Sequence, residues 1–502
     1  MSDNFFEILE TRFPKGEEAT AFLLEDGTRI SYDEMNASSA QMANLLTSLG
    51  ANTGDRVAVQ VEKTPQAVML YLACLRAGLI YLPLNTAYTV SEVDYFLGDA
   101  TPTIVVCDPA KQIDIKVKAA TAGAKVVLTL DDEGVGTLTE QAASQPTTFA
   151  TVARDSQDIA TILYTSGTTG RSKGAMLTQE NLSSNALTLE RIWEWTPDDV
   201  LLHALPIFHV HGLFVVLHCI FLCGGMSIFF KKFDADAVMK YMPQATVLSG
   251  VPTFYTRLLA NPDFGKDHCK NMRLFMAGSA PLLDETFIEF QERSGHTILE
   301  RYGMTETGMT CSNPYNGERI AGLVGPEMPD TTGRVADEDG NEVPHGEIGV
   351  LEVKGPNVFK GYWQMPEKTK AEFREDGFFI TGDMAKREPN GYIRIVGRTK
   401  DLIISGGFNV YPKEIEACLD DHDSVLESAV VARPDVDFGE VAVAYVVLSD
   451  PSLTEASLRD YAREHLANFK VPKTVVFLDA LPRNTMGKVQ KNQLRELAVG
   501  DA

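Results

Sequence analysis

Four strand-like segments near the middle of this chain each run straight into a loop of small polar residues: ATILY into TSGTTG, ATVLSG into VPT, RLFMA into GSAPL, and HTILE into RYGMTET. This recurrence constrains the fold more than any other feature, because in open α/β sheets ligands bind beyond the carboxyl ends of the strands. Upstream, from Asp55, strand-like and helix-like stretches alternate through RVAVQVE, the apolar-rich PQAVMLYLACLRAG and LIYLPL, with TIVVCD and AKVVLTL further on. The alternation predicts parallel-type sheets flanked by helices, an α/β fold class. The four polar loops are candidates for one shared site.

After about Gly325 the pattern turns to short β segments punctuated by Gly and Pro, including GVLEVKG, GFFITGD and a Pro389-Asn390-Gly391 turn before YIRIVGR. That predicts a β subdomain over about 325–399, closing a large N-terminal domain that spans 1–399. Beyond Lys400, VLESAVVARP, EVAVAYVVL and KTVVFL read as strands, and ASLRDYAREHLA and KNQLRELA as helices. A small α+β domain over 400–502 is expected, in keeping with a chain of 502 residues, too long for one core.

Lys and Arg number 45 against 69 Asp and Glu, a net charge of −24 that sets the mean field against nucleic acid and anionic membrane. A polyanionic substrate therefore needs local cations. The seven cysteines are dispersed with no C-x-x-C pair and suit reduced thiols, and the acidic N-terminus does not read as a signal peptide, so a cytoplasmic setting is expected. The span 204–230 carries no charged side chain and is long enough for a bilayer. Pro206, His209, His211, His218 and Gly224-Gly225 interrupt it, which predicts a buried helix followed by a buried strand.

The segment from Tyr164 to Gly174 has the make-up of a phosphate cradle: glycines let backbone N–H groups approach an anion, hydroxyls donate further bonds, and Lys173 supplies charge. It lacks the GxxxxGK[ST] spacing of a Walker loop. Alone it reads equally well as a flexible Gly/Ser/Thr turn. The same chain, however, carries GSAPL, ERYGMTET, FFITGD, GRTKDLIISGGFNVYPKEIE and PRNTMGKVQK in that order.

This ordered set resembles the adenylate-forming superfamily of acyl-CoA synthetases, nonribosomal adenylation domains and luciferases, over nearly the whole chain. Two positions depart from the pattern: Ser172 stands where Pro is common and Asn484 where Thr is common. The resemblance implies a two-step reaction in which a carboxylate attacks the α-phosphorus of ATP to give acyl-AMP and pyrophosphate, and a thiol then displaces AMP. It implies that Thr165, Ser166, Gly167, Thr168, Thr169, Gly170 and Lys173 hold the β- and γ-phosphates, that Thr305 contacts phosphate, and that Glu306 binds Mg2+. Gly278, Ser279, Ala280, Glu300, Arg301 and Tyr302 are expected around the adenine, with Asp383 on the ribose hydroxyls assisted by Arg398. Lys488 is assigned to adenylation, Lys400 to a hinge about which the small domain rotates, and Gly406 and Gly407 to the pantetheine channel of CoA. Acetylation of Lys488 would remove its charge, so an acetyltransferase and deacetylase are candidate partners.

For the acyl group, His209, His211, Arg257, Ser279 and Met304 are the candidate contacts. Arg257 lies on the flank of an apolar helical face after Pro252, where it reads either as a surface residue or as a clamp for a second carboxylate. The combination HVHG, VPTFYTR, GSAPL and RYGMTET is similar to malonyl-CoA synthetases, which activate malonate and sometimes methylmalonate. The alternatives are a synthetase for a short or medium monocarboxylate, a free-standing enzyme that loads a carrier protein, and a nucleotide-binding regulator without turnover.

Overall fold

Helix Pro65–Arg76 is buried along its whole length except at Gln66, as expected for a segment apolar on every side. Pro65 occupies its first position, and the Thr64 hydroxyl accepts the Ala67 N–H at 3.2 Å. Around it the computed structural model, which describes residues 2–165, 172–405, 408–435, 438–484 and 487–500, builds two large sheets that share one hydrophobic core.

The first sheet has seven strands. Val126–Thr129, Ile104–Cys107, Arg56–Gln60, Ile80–Pro83 and Ile159–Thr165 lie parallel, and Lys173–Thr178 and Gly361–Tyr362 extend the edge antiparallel. The second has eight, six of them parallel: Thr20–Leu24, Met226–Phe229, Val200–His203, Val247–Gly250, Leu274–Ala277 and Leu299–Met304. Three of the four motifs thus lie on neighbouring strands of one sheet. The fourth leaves Ile159–Thr165 of the other.

The fourth motif differs from the sequence expectation. ERYGM does not leave the sheet but remains in strand Leu299–Met304, which pairs antiparallel with Gly308–Ser312. Gly303 allows this, since a Cβ there would collide with the Gly308 carbonyl, and Gly308 itself turns at φ 57°. The charge-free span folds as a π-helical turn, His211–Val216, a helix, Leu217–Cys223, and strand Met226–Phe229, all within the core. Among the described residues no helix is long and apolar enough to cross a membrane.

Strands Thr332–Ala336, Ile348–Lys354, Phe379–Arg387 and Ile393–Arg398 form an antiparallel sheet of their own. After the turn Thr399–Asp401, the remaining residues build a sheet from Ile403–Ser405, Phe408–Val410, Val425–Asp435, Gly439–Leu448 and Thr474–Phe477. This last unit has two hydrophobic clusters, one on each face of its central strands, because Val430 and Ala444 point one way and Val431 and Tyr445 the other.

Candidate active site

Strands Ile159–Thr165 and Lys173–Thr178 form a hairpin in which Thr165 and Lys173 are direct partners. Ser166, Gly167, Thr168, Thr169 and Gly170 lie outside the described residues, as do Gly406 and Gly407. The Thr165 hydroxyl lies 3.4 Å from Glu306 Oε1, which joins the two large sheets at one point. Tyr95 donates to the Ser172 carbonyl at 2.8 Å. The Lys173 ammonium lies over the Tyr362 ring, 4.1 Å from its centroid, and 3.1 Å from Glu372 Oε1. The Tyr362 hydroxyl is 3.1 Å from Glu306 Oε1 and 2.6 Å from Glu372 Oε2. Burial raises the Glu306 carboxyl above its ordinary range, against hydrogen bonds from its own backbone N–H and the Tyr362 hydroxyl and the charge of Lys173. Neither Tyr362 nor Glu372 belongs to a motif that sequence reasoning singled out.

Strand alternation sorts the next cluster. Glu300 and Tyr302 face one side of Leu299–Met304 and Arg301 the other. Tyr302 donates to Asp383 Oδ2 at 2.5 Å, and Arg398 Nε lies 2.6 Å from Asp383 Oδ1, the two residues being cross-strand partners. Met304 places its sulfur 3.9 Å from the Tyr302 hydroxyl. Glu300 accepts the Gly322 N–H at 2.9 Å, and burial pushes its carboxyl up to about 8. Thr305 follows at the turn and lines a small recess with Tyr164, Phe208 and His209.

The small unit contributes Lys488. Its backbone N–H donates to Asn484 Oδ1 at 3.0 Å, a bond that the Asn in place of Thr supplies. Neighbouring Gly487 sits so close to helix Pro252–Ala260 that a Cβ would stand 3.4 Å from Thr253 Oγ1. Lys488 keeps contact with water in the cleft while protein atoms crowd it. Burial, then Arg398, lowers the pKa of its ammonium, against the attraction of Asp383 and Glu306. Lys400 lies exposed in the turn between the two units, next to Asp401, which pairs with Arg495.

On the far side of the strand Arg301 is 3% exposed. Its guanidinium donates to His211 Nε2 and covers Gly278, where any Cβ would collide with it. His211 Nε2 also meets Ser249 Oγ at 2.8 Å, and its Nδ1 meets Ser279 Oγ at 3.1 Å. Burial, and then the Arg301 charge, hold His211 neutral, so Nε2 accepts and Nδ1–H donates to Ser279. Ser279 takes a left-handed backbone at φ 70°, strain that places its hydroxyl beside the ring. Four adjacent strands thus deliver Arg301, Ser279, Ser249 and His211 in spatial order.

Two of the expected site residues stand as follows. Arg301 faces the opposite side of its strand from Tyr302. Arg257 is exposed on helix Pro252–Ala260, because its helical neighbours Phe254 and Leu258 take the buried face. The buried cation beside His211 and Ser279 is Arg301. Among the described residues it has no carboxylate partner, its Nε has no hydrogen bond, and burial draws its pKa down to about 10. Ser249 was also missed, although a serine within the apolar run ATVLSG marks it. His209 is half-buried with Nε2 unpaired, and burial lowers its pKa to about 3.

Residues 9–363 match the AMP-binding enzyme family and residues 414–488 the AMP-binding enzyme C-terminal domain. The ATP-bound crystal structure of MatB from Rhodopseudomonas palustris is 55% identical and superposes with a TM-score of 0.96 over 99% of both chains. A mitochondrial malonate–CoA ligase of Mus musculus is 35% identical across 92% of this chain and 86% of its own length. A feruloyl-CoA synthase of Amycolatopsis is 36% identical across 93% and 94%.

Proposed function

The chain belongs to the AMP-binding enzyme family, and we propose that within it the chain is an ATP-dependent malonate–CoA ligase. One malonate carboxylate oxygen attacks the α-phosphorus, pyrophosphate leaves, and the CoA thiol then attacks the acyl carbonyl of malonyl-AMP to expel AMP. Carboxylate is a poor nucleophile, so positioning and charge neutralisation do most of the work.

The observation that carries the substrate reading is Arg301. A buried guanidinium with no acid beside it is costly to hold, and a second carboxylate on the substrate removes that cost while taking hydrogen bonds from the serines and His211 Nδ1–H as they turn toward it. A feruloyl group has no such charge, so this cluster favours malonate, as does the higher identity to MatB than to the feruloyl-CoA synthase. In the same reading Lys488 meets the reacting carboxylate and α-phosphate, Lys173 the outer phosphates, and Asp383 with Arg398 the ribose. Lys400 is the hinge for domain rotation.

No group of three metal-binding side chains occurs among the described residues. Glu306 suits Mg2+ all the same: it is a buried carboxylate with hydroxyls of Thr165 and Tyr362 beside it and no salt-bridge partner among the described residues, and such an ion takes most of its ligands from phosphate oxygens and water. When bound, the ion supplies charge neutralisation on the phosphates.

The test is CoA-thioester formation across acetate, malonate, methylmalonate, succinate and octanoate with ATP and Mg2+. Malonate is expected to lead, with AMP and pyrophosphate as co-products. A preference for octanoate would overturn the malonate reading and leave the family standing.

A further inference from the structure

Glu372 stands apart from every motif of the chain, yet it is the residue on which the phosphate-loop lysine rests. Its backbone is fixed from both sides: its N–H donates to Thr369 at the end of helix Pro366–Ala371, and its carbonyl accepts the Ile380 N–H at 2.8 Å. The carboxylate gathers three donors, Lys173 at 3.1 Å, Lys368 at 2.9 Å and the Tyr362 hydroxyl at 2.6 Å. Lys173 is mostly enclosed, its side chain 13% exposed, and Tyr362 supports it from below through the face of its ring.

We infer that Glu372 is a positioning residue that holds the Lys173 ammonium in reserve and competes with phosphate oxygens for it. The inference rests on the reading of Lys173 as a phosphate ligand. The exchange works because Glu372 never becomes an orphan: when a triphosphate takes Lys173, the carboxylate keeps Lys368 and Tyr362, so no buried charge is left unpaired. When pyrophosphate leaves, the ammonium has a ready partner to return to. Glu372 therefore weakens the hold on the triphosphate and speeds departure of the product. Tyr362 ties this exchange to Glu306, since one hydroxyl hydrogen serves either carboxylate.

The test measures equilibrium binding of ATP and of pyrophosphate, each with Mg2+, by calorimetry. Glu372→Gln keeps the shape and removes the charge, and is expected to tighten both ligands by about 5-fold, the scale of a partly exposed ion pair. Glu372→Asp withdraws the carboxylate by one methylene and is expected to fall between, which decides the matter if the Gln variant does not fold. Damage to a merely structural residue loosens ligands, so a gain in affinity separates the two roles. Lys173→Met is expected to weaken both ligands and to abolish the gain from Glu372→Gln when the two are combined. If Lys173→Met leaves ATP affinity unchanged, the phosphate reading itself fails. If it weakens ATP but Glu372→Gln gives no gain, or the gain persists undiminished in the double variant, competition for Lys173 is wrong and the phosphate reading stands.

Discussion

At the proposed acyl end of this site Arg301, His211 and Ser249 are each 3% exposed or less and are held by one sheet and the turn that follows its strand Val200–His203, whereas at the proposed phosphoryl end Lys488 reaches water and arrives from a separate unit. The other groups assigned to that end, Lys173, Glu306 and Glu372, are carried by three further segments. The contrast follows from what each end must do. Telling a dicarboxylate from a monocarboxylate needs a dry cation whose place is fixed before the substrate comes, because a water-filled pocket would screen the difference. Moving charge onto pyrophosphate and then admitting a thiol needs groups that can withdraw.

The sharpest way to break this contrast is at Lys488. Replacement by Ala is expected to slow malonyl-AMP formation by about 100- to 1000-fold, the cost of removing one charge-stabilising donor, while thioester formation from supplied malonyl-AMP persists. Equal losses in both half-reactions would mean that Lys488 does not withdraw. Next in size, Lys400→Pro fixes φ near −65° in the connecting turn. It is expected to slow the thioester step by about 10-fold or more and adenylation less, by impeding closure in the second orientation. Unchanged rates in both steps would remove Lys400 as the pivot.

Acid sharpens the contrast from the other side. His209 has its pKa lowered from 6.5 to about 3, chiefly by burial. Its unfolded form takes a proton first as pH falls, so it contributes stability at neutral pH that is lost between about 6.5 and 3. His209→Gln does not titrate, so its melting temperature is expected to fall less than that of the wild type between pH 7 and 5. A parallel fall in both would show that this ring is not held neutral. The smallest effect is expected at Arg257, where an exposed helix position predicts that Arg257→Leu changes kcat/KM for malonate by less than about 2-fold.

That last prediction takes the surface reading of Arg257, one of the two that the sequence left open. The element types were legible because strands such as TIVVCD and the all-apolar helix PQAVMLYLACLR carry their own periodicity. Asp383 and Lys488 were named through motif resemblance alone. Arg257 and Arg301 were both visible as cations near strand ends, but only the spatial strand order and the face of the strand decide which one points inward. Period-2 alternation turned Arg301 away from Tyr302, and no reading of RYGMTET as a loop could anticipate that. Glu372 and Tyr362 gave no signal because their role comes from an edge strand, Gly361–Tyr362, joining the hairpin of Lys173 across a long stretch of sequence.

The central claim is that Arg301 reads the distal carboxylate, and it is tested by comparing kcat/KM for malonate and for butyrate in the wild type and in Arg301→Met. Removal of the buried cation is predicted to lower malonate by about 30-fold to several thousand-fold, the range for breaking a buried charge pair, while butyrate holds or rises. Unchanged malonate kinetics, or equal losses with both acids, would contradict the account.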